Sequence, residues 1–95
     1  CLMIFHLPMA SEKGTFLDMG LFLQNVMLGL TIEGLGSCPQ ASLLAFSQTI
    51  RDHINLAPDR LIVCGLSLGA PDPNALVNTF VPTRLPLSDY TQWLD

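Results

Sequence analysis

The sequence predicts one small domain that mixes strands and helices. Residues 2–7 and 61–68 are short aliphatic runs with the length and composition of buried strands. Between them, residues 15–33 and 41–54 carry apolar side chains at helical spacing. Ninety-five residues are enough for one modest hydrophobic core.

The first helix is predicted to follow the first strand after a polar connection. Thr15 and Asp18 have the spacing of a capping box, and Gly34 has the position of a residue that ends a helix. One face of this helix is apolar, with Phe16, Met19, Leu23, Val26, Met27 and Leu30.

The opposite side of the same helix is also apolar, with Leu17, Leu21, Phe22 and Leu28. A helix that is apolar nearly all round must be buried nearly all round. Only 13% of the residues are charged, against about 25% in typical domains. The sequence therefore predicts either a subunit interface or further sequence that covers this helix.

The second half is predicted to contain a second helix, a central strand and an arm. Residues 37–40 are expected to be extended because Cys38 precedes a proline. The helix over 41–54 ends at Asn55, and residues 57–60 form a turn into the strand at 61–68. The continuous apolarity of that strand indicates a central position in the sheet. Beyond it, residues 72–95 are predicted to form an extended arm with a short turn near 87–93. Four prolines favour this arm: Pro71, Pro73, Pro82 and Pro86.

Composition and charge exclude several classes of function. The net charge is −4 without a basic patch, which argues against nucleic-acid binding. Residues 16–32 include Asp18, Gln24 and Asn25, which is unfavourable for a membrane span. Three cysteines without a CxxC pair favour a reducing, cytoplasmic location. His6 and His53 lack the spacing of metal ligands, so we expect no metal site.

A competing motif is the run Gly65-Leu66-Ser67-Leu68-Gly69, which matches the nucleophile elbow of serine hydrolases. Such an elbow leads directly into a helix, but two prolines follow within four residues of Gly69. Both histidines precede Ser67, whereas the hydrolase order places the histidine after the serine. The favoured interpretation is a strand end whose small residues allow close packing, and a serine hydrolase that uses Ser67 is kept as an alternative.

The residues that follow Cys38 combine an apolar face with free backbone donors. Pro39 offers an apolar face, and the amides of Ala41 and Ser42 lie at a predicted helix start, where they lack intrahelical partners. Arg84 is the only basic residue in the last third of the chain and is a candidate phosphate ligand.

Four segments follow one another along the chain: residues 16–25, 34–41, 60–65 with Leu68-Gly69, and 84–87. Their order resembles the C-terminal half of the FMN-dependent NAD(P)H nitroreductases, in the branch acting on nitrobenzoate-type compounds. No side-chain nucleophile is needed in that family, because the flavin carries the chemistry.

This resemblance implies an α+β fold, with a mixed sheet flanked by helices in an intertwined homodimer. It implies two FMN at the dimer interface, and an arm that crosses the partner. Electrons would pass from NAD(P)H through FMN to a small aromatic acceptor, a nitroaromatic or a quinone, by a ping-pong mechanism. Carried over by position, the residues lining the isoalloxazine would be Pro39, Gln40, Ala41 and Ser42, and Arg84 would contact the FMN phosphate.

The chain departs from the family pattern at two places. Relatives often carry a lysine where Pro82 stands, and an acidic residue followed by glycine where Ala41 and Ser42 stand. We therefore expect a weaker phosphate contact and a purely backbone contact to the ring.

The chain begins with Cys1 and enters a strand at once, so we expect it to be the C-terminal portion of a single domain whose N-terminal half is missing. We expect the 95 residues alone to fold loosely and to be inactive. A non-enzymatic dimerisation module remains a further alternative.

Overall fold

The structure is a computed structural model that describes residues 1–94. Strands and helices alternate up to the last strand, and the remaining chain carries only short 3₁₀ turns. In order, the elements are β1 (Leu2–Pro8), α1 (Lys13–Ile32), β2 (Gly36–Gln40), a 3₁₀ segment (Ala41–Phe46), α2 (Ser47–His53), β3 (Arg60–Gly69), and 3₁₀ turns at Leu76–Thr79 and Leu87–Asp89.

The three strands form a sheet in the order β1-β3-β2, with both pairs antiparallel. The prediction of a central strand is confirmed, because β3 is paired along both edges. No parallel pair occurs among residues 1–94, so the strands described here form the antiparallel part of the expected α+β sheet. The register places Gln40, the last residue of β2, opposite Gly65.

The core lies between the sheet and α1. Phe5, Cys64 and Leu66 are buried, and Leu66 is completely inaccessible. Five of the six residues predicted to form the inner face of the helix pack against this cluster: Met19, Leu23, Val26, Met27 and Leu30. The sixth, Phe16, is 42% exposed. The helical period therefore predicted the buried face of α1 to within one residue.

The outer side of α1 is left uncovered by residues 1–94. Leu17, Leu21, Leu28 and Ile32 are all more than half exposed. By length and composition alone, α1 is also apolar enough to cross a membrane. Its inner face, however, packs on the sheet as the core helix of a globular domain does. An apolar strip of this size is typical of a surface that another protein surface covers.

The two ends of α1 differ in how well the sequence predicted them. The capping box was wrong: the helix begins at Lys13 after Glu12, and no side chain caps it. Thr15 lies within the first turn and donates its N–H to Glu12 O at 3.0 Å. The C-terminus is as predicted, since Gly34 has φ +74° and Leu35 N–H bonds to Leu30 O at 2.9 Å. This pattern is a Schellman motif.

The single helix predicted over 41–54 is in fact two pieces, a 3₁₀ segment followed by α2. The 3₁₀ segment lies where Leu43 packs against Gly65 of β3, so tertiary packing overrides the periodic pattern. Part of the predicted apolar stripe is not covered, because Phe46 is 64% exposed. The predicted end is confirmed, with Asn55 in the left-handed region at φ 52°.

Beyond β3, the described chain carries only the two 3₁₀ turns. Large apolar side chains stay exposed here, including Leu76, Val77, Phe80, Val81 and Trp93. The predicted arm over 72–95 extends one residue beyond those the structure describes.

Gly34→Ala is predicted to lower the free energy of unfolding by about 1–2 kcal/mol, because an L-residue is strained at positive φ. Gly14→Ala is the matched control: it lies inside α1, and an added Cβ there meets nothing within 4 Å. The control should leave stability unchanged or raise it by up to about 1 kcal/mol. Urea unfolding of both variants measures the difference, and equal effects would contradict the Schellman assignment.

Burial raises the pKa of the Cys64 thiol above its ordinary value of 9.0. The unfolded chain therefore loses this proton at lower pH than the folded chain does. The contribution of Cys64 protonation to the free energy of unfolding is therefore fully present below pH 9.0. It is lost as the pH rises from 9.0 through the pKa of Cys64 in the folded protein. Cys64→Ala should flatten the decline of stability above pH 9.0, whereas Cys38→Ala, at an exposed cysteine, should keep it. Identical pH profiles for the two variants would contradict the burial of Cys64.

Candidate functional site

The predicted ring-binding residues lie together where β2 ends and the 3₁₀ segment begins. We call residues 39–42 the flavin turn, after the role predicted for them from the sequence. Pro39 and Gln40 are the last residues of β2, paired with Leu66 and Gly65 of the central strand. Pro39, Ala41 and Ser42 are exposed, whereas Gln40 is half-buried. The turn is thus accessible and is held by the sheet.

Gln40 is fixed by a side-chain hydrogen bond across the sheet. The Ser67 hydroxyl donates to Gln40 Oε1 at 3.0 Å, in a partly buried environment. Ser67 lies inside β3, which is paired on both edges, so the donor is on a rigid element.

Leu43 holds the other side of the flavin turn. A Cβ placed on Gly65 would overlap the Leu43 Cδ1 atom. Glycine at this position leaves the space that the Leu43 side chain occupies against β3. Gly65 and Ser67 therefore contact the two residues that flank Ala41 and Ser42.

The flavin turn has the donors and the apolar surface that a ring edge requires. The first amides of the 3₁₀ segment lack intrahelical partners. No side chain caps them. The exposed ring of Pro39 adds an apolar face beside them. The chemistry of this donor set fits the edge of an isoalloxazine.

The phosphate end of a flavin site is not assembled within residues 1–94. Arg84 is exposed in the arm, and the described residues give its side chain no hydrogen bond or ion pair. Four of the five predicted site residues are adjacent in the chain, and Arg84 makes no side-chain hydrogen bond or ion pair to them in the part of the chain that the structure describes.

A cavity of about 470 Å³ lies beside the flavin turn rather than at it. It is lined by the start of β2 and the end of β3, including Ser37, Cys38, Ser67, Gly69 and Pro71. The cavity and the turn share β2, and Ser67 lies at the cavity wall while bonding to Gln40.

Ser67 does not form a nucleophile elbow. It lies within β3, which continues to Gly69, and no helix follows directly. Its hydroxyl bonds to a glutamine, not to a histidine, and His6 pairs with Ile62 farther along the sheet. The nucleophile-elbow interpretation of residues 65–69 is therefore wrong. The packing interpretation of the same motif is confirmed at Gly65.

Within the described residues, no group of three His, Cys, Asp or Glu side chains is placed to hold a metal ion. The three cysteines are free, with Cys1 and Cys38 exposed and Cys64 buried.

Comparison with known proteins identifies the fold and its family. A model described as the nitroreductase family matches residues 4–70, which include β1, α1, the flavin turn and β3. The chain belongs to the nitroreductase family.

Several curated nitroreductases are similar to it along almost its whole length. A 4-nitrobenzoate reductase of Pseudomonas putida is 39% identical over 97% of this chain and 40% of its own length. A chloronitrobenzene nitroreductase of Comamonas testosteroni is 34% identical over the same shares. The chain thus spans 40% of the length of these two nitroreductases.

Solved nitroreductases share the fold. One of them is the FMN- and NADPH-dependent nitroreductase NfnB from sphigopyxis sp. strain HMH. It matches with a TM-score of 0.95 at 32% identity, over 99% of this chain and 42% of that one. The FMN-dependent NfnB of Mycobacterium smegmatis, solved with NADPH, matches with a TM-score of 0.93 at 32% identity, over the same shares.

Sequence reasoning missed the anchoring roles of Gly65 and Ser67 in this nitroreductase fold. The signal was their spacing: alternate residues of a strand lie on one face. Their partners, Gln40 and Leu43, are more than 20 residues earlier in the chain, and only the register of β2 on β3 brings them together.

A fluorophosphonate probe is predicted not to label Ser67, because no base among residues 1–94 activates its hydroxyl. The measurement is mass spectrometry of the peptide that contains residue 67 after treatment of the native protein. Ser67→Ala provides the background, and a known serine hydrolase in the same tube shows that the probe is active. Labelling of Ser67 above that background would contradict the assignment.

Proposed function

We propose that the protein containing this chain is a flavin oxidoreductase that passes electrons from NAD(P)H through FMN to nitroaromatic or quinone-type acceptors. The observation that carries the proposal is the flavin turn, an accessible turn held to the central strand on both sides. The names of its relatives, a 4-nitrobenzoate reductase and FMN- and NADPH-dependent nitroreductases, support the same conclusion.

When bound, FMN supplies hydride acceptance and donation, which allows a ping-pong exchange of donor and acceptor at one place. The residues of this chain bind and orient it. The free amides of Ala41 and Ser42 would hold its polar edge, and the exposed Pro39 would supply an apolar surface. Gln40 would add a further polar contact beside them. This accounts for a site without a side-chain nucleophile.

The uncovered outer side of α1 supports a homodimer. Leu17, Leu21 and Ile32 are each more than half exposed. Removing apolar surface from water is favourable by about 25 cal/mol per Å², and in an association this gain opposes the loss of translational and rotational freedom. In this proposal residues 1–95 are the C-terminal portion of the domain, and residues 72–95 reach across the partner subunit of a cytoplasmic enzyme.

The test is the visible absorbance of the complete gene product, purified with FMN and then desalted. Retained flavin bands that NAD(P)H bleaches, and that a nitrobenzoate restores, are the expected result. A colourless, stable dimer would instead support the dimerisation module and overturn the oxidoreductase.

Arg84→Ala in the complete protein is predicted to weaken FMN binding by roughly 10- to 150-fold, because a charged hydrogen bond to a phosphate contributes about 1.5–3 kcal/mol. The fold should stay intact, since Arg84 is exposed and makes no side-chain hydrogen bond to residues 1–94. Fluorescence titration of FMN gives the dissociation constant, and far-UV circular dichroism checks the fold.

Arg60→Ala is the matched control for the loss of one positive charge. Its only ion pair among the described residues is an exposed contact to Asp59 at 3.8 Å. Such surface pairs contribute about 0–1 kcal/mol to stability. Equal FMN affinity in the Arg84 and Arg60 variants would remove Arg84 from the phosphate site.

A further inference from the structure

Gly65 and Ser67 of β3 contact the residues at the two ends of the flavin turn. Gly65 and Ser67 alternate along the strand, so they lie on one face of the sheet, whereas Leu66 between them lies in the core. This face is the one on which the 3₁₀ segment packs.

Ser67 determines which way the Gln40 side chain is oriented. Its hydroxyl donates to Gln40 Oε1 at 3.0 Å, which holds the amide oxygen on the Ser67 side. Within residues 1–94, Gln40 Nε2 makes no hydrogen bond to the protein. A neutral side-chain amide has two N–H donors on that nitrogen. This orientation therefore leaves the Nε2 donors of Gln40 free to bind an acceptor.

Gly65 acts on the other flank of the same turn. Leu43 lies where a Cβ at Gly65 would be, which brings the start of the 3₁₀ segment onto β3. Ala41 and Ser42 thus lie between two contacts to one strand, a hydrogen bond before them and a packing contact after them.

We propose that Ser67 is a positioning residue for flavin binding. It holds Gln40 so that Nε2 donates to an acceptor atom of the isoalloxazine, a carbonyl oxygen or a ring nitrogen. With Gly65, it fixes the backbone amides of Ala41 and Ser42 in place. This inference rests on the proposed function. It gives the Gly-x-Ser pattern of β3 a role in positioning the flavin turn.

The experiment compares Ser67→Ala with wild type in the complete gene product, using two measurements. Hydrogen–deuterium exchange of residues 40–46 without FMN reports whether the turn is anchored. Fluorescence titration with FMN reports whether anchoring matters for binding. Loss of one neutral hydrogen bond corresponds to roughly a five-fold change in an equilibrium constant. We expect changes of that order in both measurements.

Further variants separate this positioning role from a general loss of stability. Ser67→Thr keeps the hydroxyl on a residue suited to strands, and should restore both exchange and FMN affinity. Ser11→Ala removes a serine hydroxyl that donates to Pro8 O at 2.7 Å, beyond the opposite end of β3. It should change neither measurement. Gly65→Ala should weaken FMN binding, and the added Leu43→Ala should recover part of the loss.

The outcomes are distinguishable. Faster exchange of 40–46 together with weaker FMN binding in Ser67→Ala, reversed in Ser67→Thr, supports the proposal. Unchanged exchange, or faster exchange with unchanged FMN affinity, overturns it. If wild type binds no FMN, the proposed function fails with the role in flavin binding, and the exchange data alone then decide whether Ser67 anchors the turn.

Discussion

The pairing of β3 along both of its edges is the constraint on which the rest of the structure depends. This pairing fixes β3 between β1 and β2, and it places Leu66 in the core that packs against α1. The opposite face of the same strand presents Gly65 and Ser67 to the residues around the flavin turn. The same strand therefore packs in the core on one face and supports an accessible turn on the other. Precise placement of binding groups requires support of this kind.

The chain has more apolar surface than its own residues cover. α1 buries its inner face on the sheet and exposes the outer one, and the arm after β3 exposes Phe80, Val81 and Trp93. Both regions lie outside the small core of β1, β3 and α1. The composition already indicated this excess, since charged residues are only 13% of the sequence. The proposed homodimer provides cover for these surfaces, and Arg84 lies on one of them.

The sequence predicted an element well where the spacing of apolar residues or one backbone conformation determines it. The helical spacing predicted the buried face of α1, and Gly34 and Asn55 were correctly placed at helix ends because each takes positive φ. Prediction failed where tertiary contacts decide. The 3₁₀ segment replaces a helical turn because Leu43 packs onto Gly65, and the Ser67–Gln40 bond depends on strand register. The positions of the flavin turn came from the family resemblance, and its anchors came only from the three-dimensional structure.

A crystal structure of the complete gene product grown with FMN tests the proposed role of residues 39–42 most directly. We expect the polar edge of the ring against Ala41 and Ser42, with Pro39 on its apolar side and the hydrogen bond from Ser67 to Gln40 Oε1 retained. A flavin bound instead in the cavity beside Cys38 and Pro71, with residues 39–42 free of contact, would contradict it.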